Sequence, residues 1–444
     1  MIYDAIIIGG GVAGLSAAVR LAKQGAKVLL LEQKPYLGGR TYSFRDKRTG
    51  DIVDNGQHLM MGCYHETRAY LESIGSSHLV SLQPRLRIDF LHPHLGSASL
   101  DCWPLPAPLN VLSGLLRLRS IPLLDRFRLL RIGMELLSSS RQKEQELALL
   151  TVDQWLQQCG QTGENRKYLW DVIAIGTLND DPKIVSALLF YRVLKAAFMG
   201  SDSDASLLIP RAGLSEILVD PAVELIRRQG GEVLANQEVD SFSFQAERTE
   251  KVRVGREVYK ARAVIAAVPY FALQPLLQKS KSRERFVAGL SGLKSSPIIT
   301  VNLWFEKPVF DMEFAAVLDS NIQWIFNRTA MLSLDRKRQY LSVVISGASK
   351  EVSWSKEKLV ATTRYELERI IPGLKGVRLV HSLVLKEKRA TFSPTPESLA
   401  LRPDALTEMG NLFLAGDWTD TGLPATIEGA VLSGHRAAEK CFHS

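Results

Sequence analysis

Three glycines and one acidic residue near the start of the chain have the types and the spacing of a phosphate-binding turn. Gly9, Gly11 and Gly14 form the pattern G-x-G-x-x-G. In this pattern the first glycine permits a tight turn, the second lets the backbone approach a pyrophosphate, and the third lets a helix pack closely on a strand. Glu32 follows about 20 residues later, where a carboxylate accepts hydrogen bonds from ribose hydroxyls. The spacing predicts a dinucleotide site lined by Gly9, Gly11, Ala13, Gly14 and Glu32.

The segments around these residues are of the kind that holds such a turn in place. Residues 4–8 form an apolar run of strand length, residues 15–23 have the pattern of a helix, and residues 27–31 predict a second strand that ends at Glu32. The glycines then precede a helix N-terminus, whose free N–H groups and dipole favour an anion. A glycine-rich turn without a ligand is the alternative, but the strand, the helix and the acid together favour dinucleotide binding.

The composition of the whole chain narrows the class of protein. Its 444 residues are 46% hydrophobic and 23% charged, which excludes a disordered or fibrous chain. The four cysteines form no C-x-x-C pair, so we expect no disulfide framework, no metal site and a reducing, cytoplasmic location. No apolar run reaches the roughly 20 residues of a membrane span. The net charge of +8 leaves nucleic acid, an anionic membrane or no specific partner open.

A second pair of glycines, with an arginine, follows the acid. Gly38, Gly39, Arg40 and Thr41 combine backbone N–H groups that can form an anion nest with a guanidinium that can bind phosphate. Together with the first turn, this segment resembles the flavin amine oxidase and phytoene desaturase superfamily, whose members wrap this turn around the pyrophosphate of FAD. The resemblance implies that FAD is the cofactor.

The far end of the chain has the rest of the pattern of this superfamily. A short apolar strand ends at Gly416 and Asp417, and a helix start follows at Thr426 and Ile427. The resemblance implies that Asp417 binds a ribityl hydroxyl and that the helix start faces the flavin. For Asp417 alone, a helix cap or turn is the alternative. Cys441 lies well past this loop, so we expect FAD to be held without a covalent bond.

If both ends of the chain build one cofactor site, the domains must be interleaved. We predict an α/β fold with a Rossmann-like FAD-binding domain at 1–80, 207–290 and 393–444, in which a strand segment at 232–244 includes Val239. A substrate-binding domain occupies 81–206, predicted to be mostly helical, and 291–392. Its second part is predicted to form an antiparallel sheet with strands at 298–305, 315–326, 341–348 and 377–392.

One motif points to a particular branch of the superfamily. Amine oxidases have a lysine where this chain has Thr300 and an aromatic residue where it has Thr426. The segment Asp54-Asn55-Gly56-Gln57-His58 instead resembles a motif of the hydroxysqualene dehydroxylases of hopanoid biosynthesis, also described as squalene-associated FAD-dependent desaturases. The resemblance spans essentially the whole chain and departs at Val172, where we expect a proline. Further matches follow in chain order at Leu169-Trp170, Thr177-Leu178-Asn179, 209–214, Asp220-Pro221-Ala222, 388–392 and 416–419.

The resemblance implies reductive removal of the hydroxyl group of hydroxysqualene to give squalene, with electrons from an unidentified donor. We hypothesise hydride transfer from reduced FAD to an allylic cation, which needs a proton donor for the departing hydroxide. Asp54 and His58 are the candidate donors. Alternatively, Asp54 fixes a turn while Gly56, Gln57 and His58 contact the flavin. A carotenoid desaturase and a flavin-free prenyl-lipid carrier on the same fold are the competing functions.

Some of the basic residues behind the positive net charge are concentrated in one apolar stretch. Residues 103–137 begin at Trp103 and include five arginines, which are Arg117, Arg119, Arg126, Arg128 and Arg131. Such a stretch suits docking on anionic lipid at the inner face of the cytoplasmic membrane. The alternative is an amphipathic helix that packs on the substrate domain and keeps its arginines in water. No basic stretch is interleaved with aromatic residues in a recognisable motif, so we expect no nucleic-acid partner.

Overall fold

The computed structural model describes residues 2–138, 140–245, 248–279, 289–335 and 337–442. The strands, in chain order, are Ile2–Ile8 (β1), Val28–Leu31 (β2), Ser43–Arg45 (β3), Ile52–Asp54 (β4), Met60–Met61 (β5), Val80–Leu82 (β6), Arg87–His92 (β7), Gly96–Asp101 (β8), Leu207–Pro210 (β9), Glu232–Leu234 (β10), Ser241–Gln245 (β11), Arg248–Val254 (β12), Glu257–Ala266 (β13), Ser295–Phe305 (β14), Phe314–Val317 (β15), Trp324–Asn327 (β16), Gln339–Ser346 (β17), Leu379–Phe392 (β18) and Leu412–Leu414 (β19).

The helices alternate with these strands, and most of them lie in the first half of the chain or at its end. They are Val12–Lys23 (α1), His65–Ile74 (α2), Leu109–Arg117 (α3), Leu123–Leu137 (α4), Arg141–Ala148 (α5), Val152–Gln158 (α6), Gly163–Asn165 (α7), Asp171–Leu178 (α8), Ala187–Phe198 (α9), Leu214–Leu218 (α10), Asp220–Arg228 (α11), Tyr270–Lys279 (α12), Arg328–Met331 (α13), Lys356–Ile370 (α14), Pro396–Leu399 (α15) and Ile427–Phe442 (α16), with a π-helical turn at Arg166–Trp170 and 3₁₀ turns at Ser77–Leu79 and Glu351–Ser353.

The first sheet is built by strands from both ends of the chain. β10, β2, β1 and β13 lie side by side and pair in parallel, β19 pairs in parallel with the end of β13, and β12 and β11 extend the sheet antiparallel. The apolar strands are buried on both faces, as parallel strands usually are. α1 and α16 cross closely on this sheet because Gly434 has no side chain; a β-carbon there would lie 2.2 Å from the carbonyl oxygen of Ala13. The N- and C-terminal segments therefore form one unit.

The second sheet has the strand order β18, β14, β17, β16, β15, β7 and β8. Side chains alternate between its two faces along β14. Ile299, Val301 and Leu303 point to one face and belong to the core that includes α14. Trp304 points to the other face, where it packs with Val53 of the β3–β4 hairpin and donates a hydrogen bond to Asp51 at 2.7 Å. This contact joins the second sheet to the segment that holds the predicted motif at 54–58.

Helices account for most of the segment 81–206, as predicted, but the segment also contains the β7–β8 hairpin around a turn at Gly96. β7 pairs with β15 in parallel within the otherwise antiparallel sheet. Two other details of the sequence-based prediction are wrong. The strand predicted at 315–326 is a hairpin of two strands, β15 and β16. Val239 lies in the loop between β10 and β11. Thr151 and Gln154 form a capping box at the start of α6. The domain boundaries stay a prediction.

Candidate functional site

The first glycine turn lies where β1 ends and α1 begins, and its three glycines meet different surroundings. Gly9 has a φ of +108°, and a β-carbon there would lie 2.5 Å from the carbonyl oxygen of Ala267; at Gly14 it would lie 2.0 Å from that of Gly9. A β-carbon at Gly11 would meet nothing within 4 Å. Packing within the protein therefore requires glycine at positions 9 and 14. The space beside Gly11 instead fits a group that is not part of the chain.

The start of α1 is open to an anion. Gly11 is the N-cap residue, no side chain caps the helix and its first turn has no acidic residue. The first N–H groups of a helix have no partner within it, and the helix dipole places partial positive charge there. Ala13 is in this first turn. The turn thus has the shape, the donors and the charge that a pyrophosphate needs.

Glu32 is held rigidly at the end of β2. Its carboxylate is buried and accepts hydrogen bonds from the backbone N–H groups of Gly10 at 2.7 Å and Lys34 at 2.9 Å. The backbone N–H of Glu32 also donates to the carbonyl of Leu234 at the end of β10, and its carbonyl accepts from the N–H of Gln237 in the loop that leads to Val239. Each carboxylate oxygen keeps a lone pair for a further donor, such as a ribose hydroxyl.

The second glycine turn folds back against the first. Gly38 and Gly39 both have positive φ, at +99° and +59°, and the N–H of Gly38 donates to the carbonyl of Gly10 at 2.8 Å. A β-carbon at Gly39 would lie 3.2 Å from the Cα of Gly11. Thr41 closes the turn by donating from its hydroxyl to the carbonyl of Gly38 at 2.9 Å. The two turns predicted to bind the pyrophosphate are therefore adjacent.

Arg40 joins this turn to the far end of the chain. Its guanidinium donates to a carboxylate oxygen of Asp417 and to the carbonyl of Ala390, both at 2.6 Å. Burial alone would lower the pKa of Arg40, but Asp417 and Glu387 raise it above its ordinary value. Arg40 is therefore positively charged at physiological pH. Its ion pair holds Asp417 at the edge of the glycine turns.

The turn around Asp417 is shaped by Gly416 and by a buried arginine that sequence reasoning missed. Gly416 has a φ of +149°, and a β-carbon there would lie 2.4 Å from the indole nitrogen of Trp418. The guanidinium of Arg402 lies 4.8 Å from the centre of the Phe392 ring and donates to the backbone carbonyls of Asp417, Trp418 and Thr419. Burial lowers the pKa of Arg402 to about 10. No motif surrounds Arg402 in the sequence, so its role follows from tertiary contacts alone.

The predicted helix start at Thr426 and Ile427 is the N-terminus of α16. The hydroxyl of Thr426 accepts a hydrogen bond from the N–H of Gly429 at 3.0 Å and so caps the helix. Glu428, also missed by the prediction, is buried and accepts hydrogen bonds from Glu66 and Thr67 at the start of α2. The pKa of Glu428 is raised by burial. The start of α16 is therefore fixed in place, while cofactor binding by Thr426 and Ile427 stays a prediction.

Asp54 is enclosed by hydrogen-bond donors. One carboxylate oxygen accepts from the hydroxyl of Ser43 at 2.6 Å and the N–H of Leu214 at 3.0 Å, and the other binds the guanidinium of Arg328 at 2.8 Å. Both charged side chains are buried, with exposures of 2% for Asp54 and 0% for Arg328. Both carboxylate oxygens are therefore engaged by donors of the protein itself. The geometry favours the alternative in which Asp54 fixes the segment 54–58, and the missed partner Arg328 ties it to the second sheet.

His58 lies close to Gly56, which in turn lies near Thr300. Its Nδ1 is 2.8 Å from the carbonyl oxygen of Gly56, and a β-carbon at Gly56 would lie 3.6 Å from the ring of His58 and 4.0 Å from the hydroxyl of Thr300. Burial is the main effect that lowers the pKa of His58. The ring is therefore neutral near pH 7, donates from Nδ1 to Gly56 and presents an acceptor at Nε2. The amide of Gln57 lies next to it, 3.5 Å from the carbonyl of His58.

Two other matched segments, far apart in the chain, are joined by Asn179. Its amide donates to the hydroxyl of Thr391 at 3.0 Å, its oxygen accepts from the N–H of Gly347 at 3.0 Å, and its φ is +55°. Val172, where a proline was expected, is in α8 directly after the π-helical turn.

Across the described residues, no cluster of side chains suits a metal ion, and no helix has the length and apolarity to cross a membrane.

Comparison with known proteins gives concordant results. The family described as "Flavin containing amine oxidoreductase" matches residues 12–441. Hydroxysqualene dehydroxylases of Sinorhizobium fredii and Rhodopseudomonas palustris are 32% and 30% identical, each over 98% of this chain and 97% of the relative. A 15-cis-phytoene desaturase of Synechococcus elongatus is 25% identical over 98% of this chain and 94% of its own. Cyclohexylamine oxidase of Brevibacterium oxydans has the same fold, with a TM-score of 0.75 at 17% identity over 100% of this chain and 99% of that one. The predicted fold class is confirmed.

Proposed function

The chain belongs to the flavin-containing amine oxidoreductases and is an FAD-dependent oxidoreductase, and within this family we propose that it reductively removes the hydroxyl group of hydroxysqualene to give squalene. The observation that supports this proposal is the similarity to relatives named for that reaction, at 30–32% identity over nearly the whole chain. Similarity to the phytoene desaturase is lower, at 25% identity.

The reaction balances as a two-electron reduction. Bound FAD, when reduced, supplies a hydride. At the substrate the allylic C–O bond breaks, the hydroxyl takes up a proton and leaves as water, and a C–H bond forms at the carbon that held the oxygen. A reductant of the cell, whose identity the sequence does not indicate, must return two electrons after each turnover.

The cofactor fits the residues of the two ends of the chain. We expect the N–H groups at Gly11, Ala13 and Gly14 to bind the pyrophosphate, because the space beside Gly11 is free of protein atoms. Gly9 is expected to line the same turn, although its own N–H donates to the carbonyl of Leu31 at 2.8 Å. Glu32 would bind the adenosine ribose and Asp417 the ribityl chain. The remaining expected contacts are Gly38, Gly39, Arg40, Thr41, Gly56, Gln57, His58, Val239, Gly416, Thr426 and Ile427, with FAD held non-covalently.

His58 and Asp54 have different roles in this proposal. Asp54 positions the segment 54–58, because its carboxylate is saturated by Ser43, Leu214 and Arg328. His58 is neutral and can give up a proton from Nε2 only after taking one up there. We therefore expect His58 to contact the flavin, with proton donation to the leaving hydroxyl as an additional role to be tested.

The competing functions differ in what they require of the site. An amine oxidase of this superfamily has a lysine where this chain has Thr300, which lies beside Gly56. A flavin-free carrier would have no use for the free space at Gly11 or for the ion pair between Arg40 and Asp417. These features favour a flavin enzyme that acts on an uncharged isoprenoid.

Product analysis separates the remaining candidates. The purified protein, reduced without oxygen, is mixed separately with hydroxysqualene and, after reoxidation, with phytoene. We expect squalene from the first substrate and no lengthened conjugation from the second. Desaturated phytoene without squalene would identify a carotenoid desaturase, and a colourless protein that binds the isoprenoid without converting it would identify a carrier.

A further inference from the structure

Helix α4 has two apolar faces, and only one of them is packed on the protein. Leu129, Ile132 and Leu136 are buried in the core of the helical region. Apolar side chains that lie on the opposite side of the helix are 38–69% exposed. They are Leu123, Phe127, Leu130, Met134 and Leu137, which we call the apolar stripe. A surface helix usually presents polar residues on its solvent face, so this stripe calls for a partner.

The positions of the stripe residues follow the helical repeat. At about 100° per residue, the five side chains fall within about 80° of one another, and the three buried residues lie on the other side of the axis. Over 15 residues the stripe is about 21 Å long. Its length and straightness suit a flat apolar surface better than a small pocket.

Arginines border the stripe on both sides. At the same helical repeat, Arg126 and Arg131 lie about 60° and 80° from its centre. The acids of the helix are already neutralised, since Asp125 pairs with Arg128 at 2.6 Å and Glu135 pairs with Lys143. Arg131 is exposed and forms no ion pair with any residue that the structure describes. The charge beside the stripe is therefore positive.

The neighbouring helix extends this surface. α3 packs on α4. Its first residue, Leu109, is exposed, as are Trp103 and Leu105 in the chain that leads into it. The guanidinium of Arg117, at the end of α3, lies 5.0 Å from the centre of the Trp103 ring. Arg119 follows and is also exposed. Exposed aromatic and aliphatic side chains beside arginines are the composition of a helix that lies in a lipid interface.

We propose that the apolar stripe of α4 inserts into the surface of an anionic lipid bilayer, with Arg119 and Arg131 at the level of the headgroups. The apolar side chains would enter the boundary of the acyl chains, while the arginines bind lipid phosphates. A second copy of the chain would need a complementary face, whereas anionic lipid matches both the apolar surface and the unpaired positive charge. The proposal rests on the proposed function in one respect, since a hydrocarbon substrate is stored in the same bilayer.

The test is flotation of the full, flavin-loaded protein with lipid vesicles. Vesicles of phosphatidylcholine mixed with phosphatidylglycerol are compared with vesicles of phosphatidylcholine alone. The stripe variant combines Phe127→Gln, Leu130→Gln and Met134→Gln, which keep a helix-forming residue at each position. The matched control changes three similarly exposed apolar residues elsewhere, Ile184→Gln, Tyr365→Gln and Leu406→Gln. Equal flavin absorbance and equal melting temperature show that each variant is folded.

We expect the stripe variant to lose at least about tenfold in partition to anionic vesicles, and the control variant to match the wild type. Arg119→Gln with Arg131→Gln should lower partition to anionic vesicles by roughly tenfold or more, with little change on neutral ones. Equal binding by wild type and stripe variant would overturn the proposal. So would a wild-type dimer in solution that the stripe variant converts to a monomer, because the stripe would then be an interface between copies.

Vesicle binding needs no substrate, so the two proposals can fail separately. A protein that binds vesicles but makes no squalene would refute the proposed function alone. A protein that converts detergent-dispersed hydroxysqualene but does not bind vesicles would refute the docking alone.

Discussion

The ion pair between Asp54 and Arg328 decides whether Asp54 positions the site or donates a proton. Among the described residues, Nε and Nη1 of Arg328 have no hydrogen-bond partner, so Asp54 is the counter-charge that this fully buried guanidinium contacts. Asp54→Asn keeps the shape and an acceptor for Ser43 and Leu214 but leaves the guanidinium unpaired. Breaking a buried pair from one side costs about 3–5 kcal/mol, and we expect about 3 kcal/mol because those two hydrogen bonds survive. This is a large share of a folding free energy of about 5–15 kcal/mol.

The measurement is the unfolding of the flavin-loaded protein in urea, together with single-turnover kinetics. The double variant Asp54→Asn with Arg328→Met removes the unpaired charge and should recover most of the lost stability, since apolar replacements of buried pairs are well tolerated. The control is Asp335→Asn, which breaks an exposed pair with Lys337 and should change stability little. The reasoning would be refuted if Asp54→Asn unfolded like the wild type while single turnover was lost, which is the behaviour of a proton donor.

The other predictions concern the glycine turn, Arg402 and His58. Gly11→Ala should weaken FAD binding by at least about tenfold, measured by flavin titration, and leave the flavin-free protein as stable as before. Gly14→Ala should instead lower the melting temperature, because its β-carbon would lie 2.0 Å from the carbonyl oxygen of Gly9. Arg402→Met leaves three backbone carbonyls without their donor, so we expect about 2 kcal/mol of lost stability and faster flavin release in a fluorescence assay. The folded-state pKa of His58 is below its ordinary value of 6.5, so the unfolded chain binds more protons and stability falls as pH drops below about 6.5. His58→Gln should make this acid loss smaller, and an unchanged pH profile of unfolding would contradict the burial of a neutral ring.

Local sequence patterns were sufficient to predict the parts of the site that depend on backbone conformation. The roles of Gly9 and Gly14 depend on φ and on close packing, and their spacing indicates both. The separate role of Gly11 became testable only in three dimensions, where the space beside it is open.

The sequence did not indicate which distant residues contact the site residues in the folded chain. Asp54 was a candidate acid because it is a titratable residue of the motif at 54–58 and the proposed reaction needs a proton donor. Its partner Arg328 is 274 residues away, and no short-range pattern could indicate it. Arg402 was missed for the same reason. For α4, an apolar stretch predicts a helix but cannot tell which face is buried, and the exposed stripe became visible only with the core around it.

Transfer of hydrogen from the reduced flavin to the substrate carbon tests the central claim most directly. The protein is reduced anaerobically in deuterated water, so that the exchangeable N–H hydrogens of the reduced flavin become deuterium, and is mixed with unlabelled hydroxysqualene for a single turnover. The account predicts squalene with one deuterium at the carbon that held the hydroxyl, formed in step with the return of the oxidised flavin spectrum. Unchanged hydroxysqualene beside a stable reduced flavin, or squalene without deuterium, would contradict it.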